Sequence, residues 1–208
     1  HAADHPVVPK LKGEWWVIAG DPDLGTLTTP KQQPVDFGIW QANDGRWQLW
    51  SCIRGTKEPG KTRLFHRWEG AKLTDRDWTP RGIALQADPA LGETQGGLQA
   101  PYVFRHEGKF LMFYGDWANI CLARSEDGKN FTRYRNPEGK PQLDFAGPID
   151  RSRNGRDPMV LRAGNKWHVY YTAHPGNKGS VYARTSEDLL HWSEERVVAA
   201  RGRAGEGP

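Results

Sequence analysis

The stretch at 155–171, "GRDPMVLRAGNKWHVYY", opens on an Arg-Asp pair before a proline. Apolar residues then alternate, a Gly-Asn pair turns the chain, and a second apolar run ends in aromatics. Alternation of this period marks a half-buried strand, and a Gly-Asn turn between two such runs reads as a hairpin. Two other stretches have the same form: "VDFGIWQANDGRWQLWS" at 35–51 and "QAPYVFRHEGKFLMFYG" at 99–115. Aligned on their turns, Asp36, Ala100 and Asp157 fall at about the same place.

A second hairpin follows each of these. "TRLFHRWEGAKLTDRDW" ends at Trp78, "ICLARSEDGKNF" at Phe131 and "VYARTSEDLLHW" at Trp192. The last two share a Ser-Glu-Asp turn with an aromatic at the same offset. Ser and Asp side chains bonding to local backbone explain that turn. A sialidase-type Asp box is the alternative, but its second glycine and its threonine are absent. The unit is therefore four strands, repeating about every 60 residues. Four-stranded units in series predict an all-β fold, a β-propeller of antiparallel blades. Three blades fill residues 35 to 200, and "EWWVIA" at 14–19 reads as one strand that completes a last blade. A propeller closes with about four blades or more. The reading is thus a single propeller domain over 1–208, incomplete in this chain, with the remaining blades expected after Pro208 or elsewhere in the assembly.

Composition agrees with this. Twenty-four glycines, 15 prolines and ten tryptophans in 208 residues suit a turn-rich β protein with a sizeable core. The net charge of +4 is mild and its basic residues are scattered, the nearest thing to a cluster being Arg151, Arg153 and Arg156. That excludes a nucleic-acid footprint. No apolar run is long enough to predict a membrane span. Cys52 and Cys121 lie in apolar strand-like runs and are expected to be buried free thiols. No histidine pattern suggests a metal. A calcium ion in the channel would fit the fold, but no residues argue for it, and no cofactor is expected. The start "HAADHP" suits the mature end of a processed secreted or periplasmic protein, with the cytoplasm left open.

In a propeller the first strand of each blade lines the central channel, so Asp36 and Asp157 are expected at one channel mouth. Paired carboxylates suit glycosidic cleavage, where an acid protonates the leaving oxygen and a second carboxylate attacks or activates water. Arg156 is placed to orient Asp157 or to bind a hydroxyl. The plainer reading is that both aspartates only cap turns. Asp116 and Trp117, in "YGDWAN", lie near the channel end, with Trp117 as a sugar-stacking platform. His174 occupies the equivalent zone of the next blade and either bonds a sugar hydroxyl or faces solvent.

Arg156-Asp157-Pro158 resembles the "RDP" motif of the five-bladed propeller glycosidases, families 32 and 68, whose fold is shared by families 43 and 117. The resemblance implies a five-bladed propeller and a carbohydrate substrate. It implies that Asp36 stands in the nucleophile's place and Asp157 in that of the transition-state stabiliser, in the same order and two blades apart. The departures are equally specific. "PVDFGIW" replaces the Asn-Asp-Pro-Asn-Gly context of family 32, and the Glu-Cys acid motif is missing. The "EGP" at Glu206 resembles the acid motif of family 43, so Glu206 or a later glutamate is the expected acid. Family 43 also carries an aspartate in the second blade, where this chain has Gln99 and Ala100, and Gln99 is expected to touch substrate. The resemblance points to a glycoside hydrolase acting on an oligosaccharide or polysaccharide. The alternative is a carbohydrate-binding propeller that has lost its acid.

Overall fold

The alternating runs do form strands, gathered in three antiparallel four-stranded sheets that succeed one another along the chain. The computed structural model describes residues 8–145, 155–174 and 179–200. Blade one comprises β1 (Gln33–Gln41), β2 (Trp47–Arg54), β3 (Leu64–Gly70) and β4 (Thr79–Leu85). Blade two comprises β5 (Gln99–His106), β6 (Lys109–Gly115), β7 (Ile120–Ser125) and β8 (Thr132–Arg133). A short β9 (Asp144–Phe145) follows. Blade three comprises β10 (Arg156–Ala163), β11 (Lys166–Ala173), β12 (Ser180–Ser186) and, after β13 (His191–Trp192), β14 (Arg196–Ala200). β13 pairs in parallel with β9, which ties the end of blade three to the segment that leaves blade two.

The period-two pattern explains how the blades stack, because alternate residues on one strand face opposite neighbours. On β6, Phe110, Met112 and Tyr114 pack towards blade one with Trp40, Trp50 and Phe65. Leu111 and Phe113, between them in sequence, pack towards blade three with Val169, Tyr171 and Trp192. Blade two is therefore apolar on both faces. Blade one's far face gathers Leu49, Ile53, Leu64, Trp68 and Trp78, with Ile18 and Ala19 laid against it. At Gly38 the backbones of β1 and β5 come so close that an added Cβ would lie 2.6 Å from the carbonyl oxygen of Pro101.

Two sequence expectations are corrected here. Residues 14–19 join no sheet. They run past the corner of blade one, where Asp77 and Trp78 donate backbone hydrogen bonds to the carbonyls of Val17 and Ile18. The second hairpins also do not end at Trp78, Phe131 and Trp192: the outer strand of each blade begins at or after the residue that follows. Trp78 instead fills the corner, its ring 2.5 Å from where a Cβ on Gly70 would sit. The Ser-Glu-Asp stretches are turns. In one, the Ser125 hydroxyl donates to Asp127 Oδ1, and the amides of Lys129 and Asn130 donate to the same oxygen. In the other, Ser186 and Asp188 repeat the arrangement. Burial pushes both carboxyls up, but these bonds outweigh it and hold them well below the usual range.

Candidate active site

The first strand of each blade carries the same defect. Pairing of β1 with β2 slips between Val35 and Phe37, that of β5 with β6 between Gln99 and Tyr102, and that of β10 with β11 between Arg156 and Met159. The extra residue in each bulge has a positive φ: 23° at Asp36, 45° at Ala100 and 55° at Asp157. Bulges re-aim side chains, and non-glycine residues held in left-handed conformations gather at functional sites. The turn-based alignment of these three residues is thus realised as one repeated backbone geometry. β1 packs beside β5 and β5 beside β10, which brings the three bulges to one end of the blades.

Asp36 is exposed, and its charge reaches Asp157. Burial pushes the Asp157 carboxyl up, and the charge of Asp36 pushes it further. Arg156, a hydrogen bond from Thr172 and the charge of Arg63 pull the other way without cancelling the rise. Arg156 Nε lies 3.4 Å from Asp157 Oδ2, and its Nη2 lies 3.4 Å from His174 Nε2, so the three residues form a chain along the tops of β10 and β11. Gln99, at the start of β5, is 1% exposed, and its Oε1 has no hydrogen-bond partner among the described residues. A buried carbonyl oxygen of this kind needs a donor, such as a hydroxyl group, to satisfy it. Asp36 also lines a cleft of about 340 Å³ between residues 18–20 and blade one.

Asp116 does not join the open site. It is fully buried, and its carboxylate accepts hydrogen bonds from the Ala118 and Asn119 amides and from Gln142 Nε2. Burial nonetheless raises its pKa. Its part is to brace the tight β6–β7 turn on which Trp117 stands with a φ of 80°. Trp117 is half-buried and carries two cations, Lys61 Nζ 4.7 Å and the Arg63 guanidinium carbon 5.0 Å from its ring centroid. Glu206 lies outside the described residues, so the geometry contains Asp36 and Asp157 without a proton donor assigned to it.

Sequence reasoning passed over Lys61, Arg63 and Thr172. Arg63 directly precedes β3, which runs parallel to β1 and so begins at the same end as Asp36. That placement was the signal available. Beneath it lies Cys52, whose thiol is pushed up to about 12, first by burial and then by Asp36, with Arg63 opposing.

The fold has relatives among solved enzymes. A family 117 glycoside hydrolase of the marine bacterium Zobellia galactanivorans superposes with a TM-score of 0.62 at 17% identity, over 90% of this chain and 62% of that one. An exo-1,5-α-L-arabinanase from a bovine ruminal metagenomic library gives 0.61 at 14% identity, over 83% and 62%. A family 32 β-fructofuranosidase of Bombyx mori gives 0.57 at 19% identity, over 85% and 37%. The three sheets are therefore blades of a propeller of the kind found in glycoside hydrolases, and the chain spans between 34% and 62% of the length of such matched structures. Residues 60–207, well over half of the sequence, match the family model described as the glycosyl hydrolases family 32 N-terminal domain. The matched region includes Arg156-Asp157-Pro158, and on it the chain belongs to the glycosyl hydrolase family 32 N-terminal domain family.

Proposed function

We propose that this chain carries the carboxylate pair of a glycoside hydrolase acting on an oligosaccharide or polysaccharide. The observation that carries the reading is the pairing of Asp36 with Asp157: matching left-handed bulges, two blades apart, close enough for one charge to act on the other. Asp36, exposed at the mouth, attacks the anomeric carbon or activates water. Asp157, held by Arg156 and Thr172, binds sugar hydroxyls and steadies the positive charge that develops on the ring. A glutamate, Glu206 or one further on, donates the proton to the leaving oxygen. Gln99, with its unpartnered Oε1, accepts from a sugar hydroxyl, and His174 steadies Arg156. Membership of family 32 and the propeller hydrolase neighbours support the activity, and a Bombyx mori relative has been seen in complex with sucrose.

Replacing Asp36 with Asn keeps the size of the side chain and removes its charge. Turnover of aryl glycosides and oligosaccharides should fall by about a thousandfold or more, because neighbours cannot supply a nucleophile's role. Sugar binding should persist. Asp157→Asn should weaken binding and turnover together. Turnover at the unmodified rate in Asp36→Asn would defeat the mechanism, and a chain that binds sugars but never cleaves them would favour a carbohydrate-binding module.

A further inference from the structure

The β2–β3 loop, residues 55–63, reads "GTKEPGKTR". It carries Lys57, Lys61 and Arg63, directly after Arg54. Its one acid, Glu58, is buried and accepts a hydrogen bond from Gln86 Nε2 at 2.6 Å. The loop is therefore cationic on its outer side.

It is also fixed in place. The Lys61 amide donates to the Gln95 carbonyl at 3.0 Å and the Arg63 amide to the Gly96 carbonyl at 2.9 Å. The Thr56 amide and hydroxyl both donate to the Thr62 carbonyl. Thr62, between the two cations, has a φ of 63°. A Cβ on Gly60 would overlap the Gln95 carbonyl, and one on Gly96 would overlap that of Pro59, so the two loops meet backbone to backbone.

This mounting directs Lys61 and Arg63 onto Trp117, across the junction of blades one and two. Two like charges on one indole repel each other, and the attraction of the ring for each cation is modest. Among the described residues neither side chain forms an ion pair. Arg63 lies over the buried Cys52 and within electrostatic reach of Asp157, so the pair borders the carboxylate site rather than the outer rim. A guanidinium fork beside an ammonium is suited to a group of anionic oxygens, which would relieve their repulsion.

We propose that Lys61 and Arg63, mounted on Trp117, form a subsite that binds an anionic substituent (a carboxylate, sulfate or phosphate) on the sugar held at Asp36 and Asp157. The proposal rests on the glycosidase reading for the sugar, and on the loop geometry for the charge.

Calorimetric titration of the chain tests it. The ligands are neutral arabino- and fructo-oligosaccharides, an oligogalacturonate, a sulfated galactan oligosaccharide and a phosphorylated disaccharide. At least one anionic ligand should bind about tenfold tighter than its neutral counterpart, a margin that shrinks with added salt. The three anionic arms identify the group. Lys61→Gln, at an exposed position that leaves the fold undisturbed, should cut the ratio of charged to neutral affinity about tenfold, and Arg63→Gln likewise. The idea is overturned if no anionic ligand outbinds its neutral counterpart, including the case in which none binds, or if the ratio survives in Lys61→Gln. Charged ligands bound by the full-length protein but never hydrolysed by it would sink the glycosidase reading and leave this subsite standing. Hydrolysis of neutral ligands without preference for charge would do the reverse.

Discussion

At Asp157 the proposed chemistry and the stability of one residue pull in opposite directions. Its carboxyl is raised above the ordinary 3.8 by burial and by Asp36. The folded chain therefore holds that proton more tightly than the unfolded chain does. Stability from this group is complete below the ordinary carboxylate value and is lost as pH rises through the raised one. At neutral pH the ionised side chain is a net cost to folding. Asp157→Asn removes the charge and tolerates a left-handed backbone at least as well. The variant should melt higher than the unmodified chain at neutral pH, with the margin closing as pH falls past the ordinary carboxylate value, while turnover is lost. Thermal melts across a pH series check this, and a lower melting temperature at neutral pH would contradict it. The matching backbone positions of Asp36 and Asp157 were legible in the sequence because both sit at about the same distance from a hairpin turn. Lys61 and Arg63 were not, because what gives them meaning is an indole more than fifty residues away on another blade. Asp116 differs for the opposite reason: its neighbour Trp117 stands half-exposed beneath Lys61 and Arg63, but the turn folds the Asp116 carboxylate inward.

Among the elements, the strands were easier to read than the segments that position them. Period-two alternation found the first hairpin of every blade and four strands to the unit. It ended the second hairpins too early, because Trp78, Phe131 and Trp192 close the sequence pattern while the ladder of the outer strand starts beyond them. It also made a strand of residues 14–19, whose backbone pairs with no strand among the described residues and instead passes the corner of blade one. The locked pair of loops offers a sharper test. Gly96→Ala sets a Cβ against the Pro59 carbonyl at a residue with a φ of 61°. The expected loss is about 1–3 kcal/mol, or about 2–12 °C in melting temperature for a domain of this size. Hydrogen exchange should quicken at the Lys61 and Arg63 amides, which are bonded across this contact, more than in β6 or β11. A uniform change across the molecule would show that the loops do not act as one unit.

Across the whole molecule, blade two serves as the shared wall, with one apolar layer on each side. Cys52 and Cys121 both lie in the layer against blade one, at 0% exposure, and neither is in a disulfide. Burial raises both thiols far above the reactive range. Denatured, unreduced protein should titrate two thiols, whereas the native chain should react only as fast as this layer opens. Rapid native labelling at either cysteine would mean that blades one and two are not packed as described.

The bulge at Ala100 separates the site's scaffold from its reagents. Blade two bends its first strand as its neighbours do, yet places a methyl group where they place carboxylates. The kink is therefore a property of the repeating unit, copied whether or not it is used, and the chemistry is written onto it one residue per copy. Acquiring or discarding a functional group at the mouth then takes a single substitution on a backbone already bent to present it. Ala100→Asp should accordingly be accepted with little change in melting temperature, since aspartate suits a left-handed backbone better than alanine does. It would set a third negative charge beside the existing pair and move the acidic limb of the pH–rate profile upward. A collapse of the fold on this change would show that the empty seat is filled by packing, and that the three copies are less interchangeable than their shared bend implies.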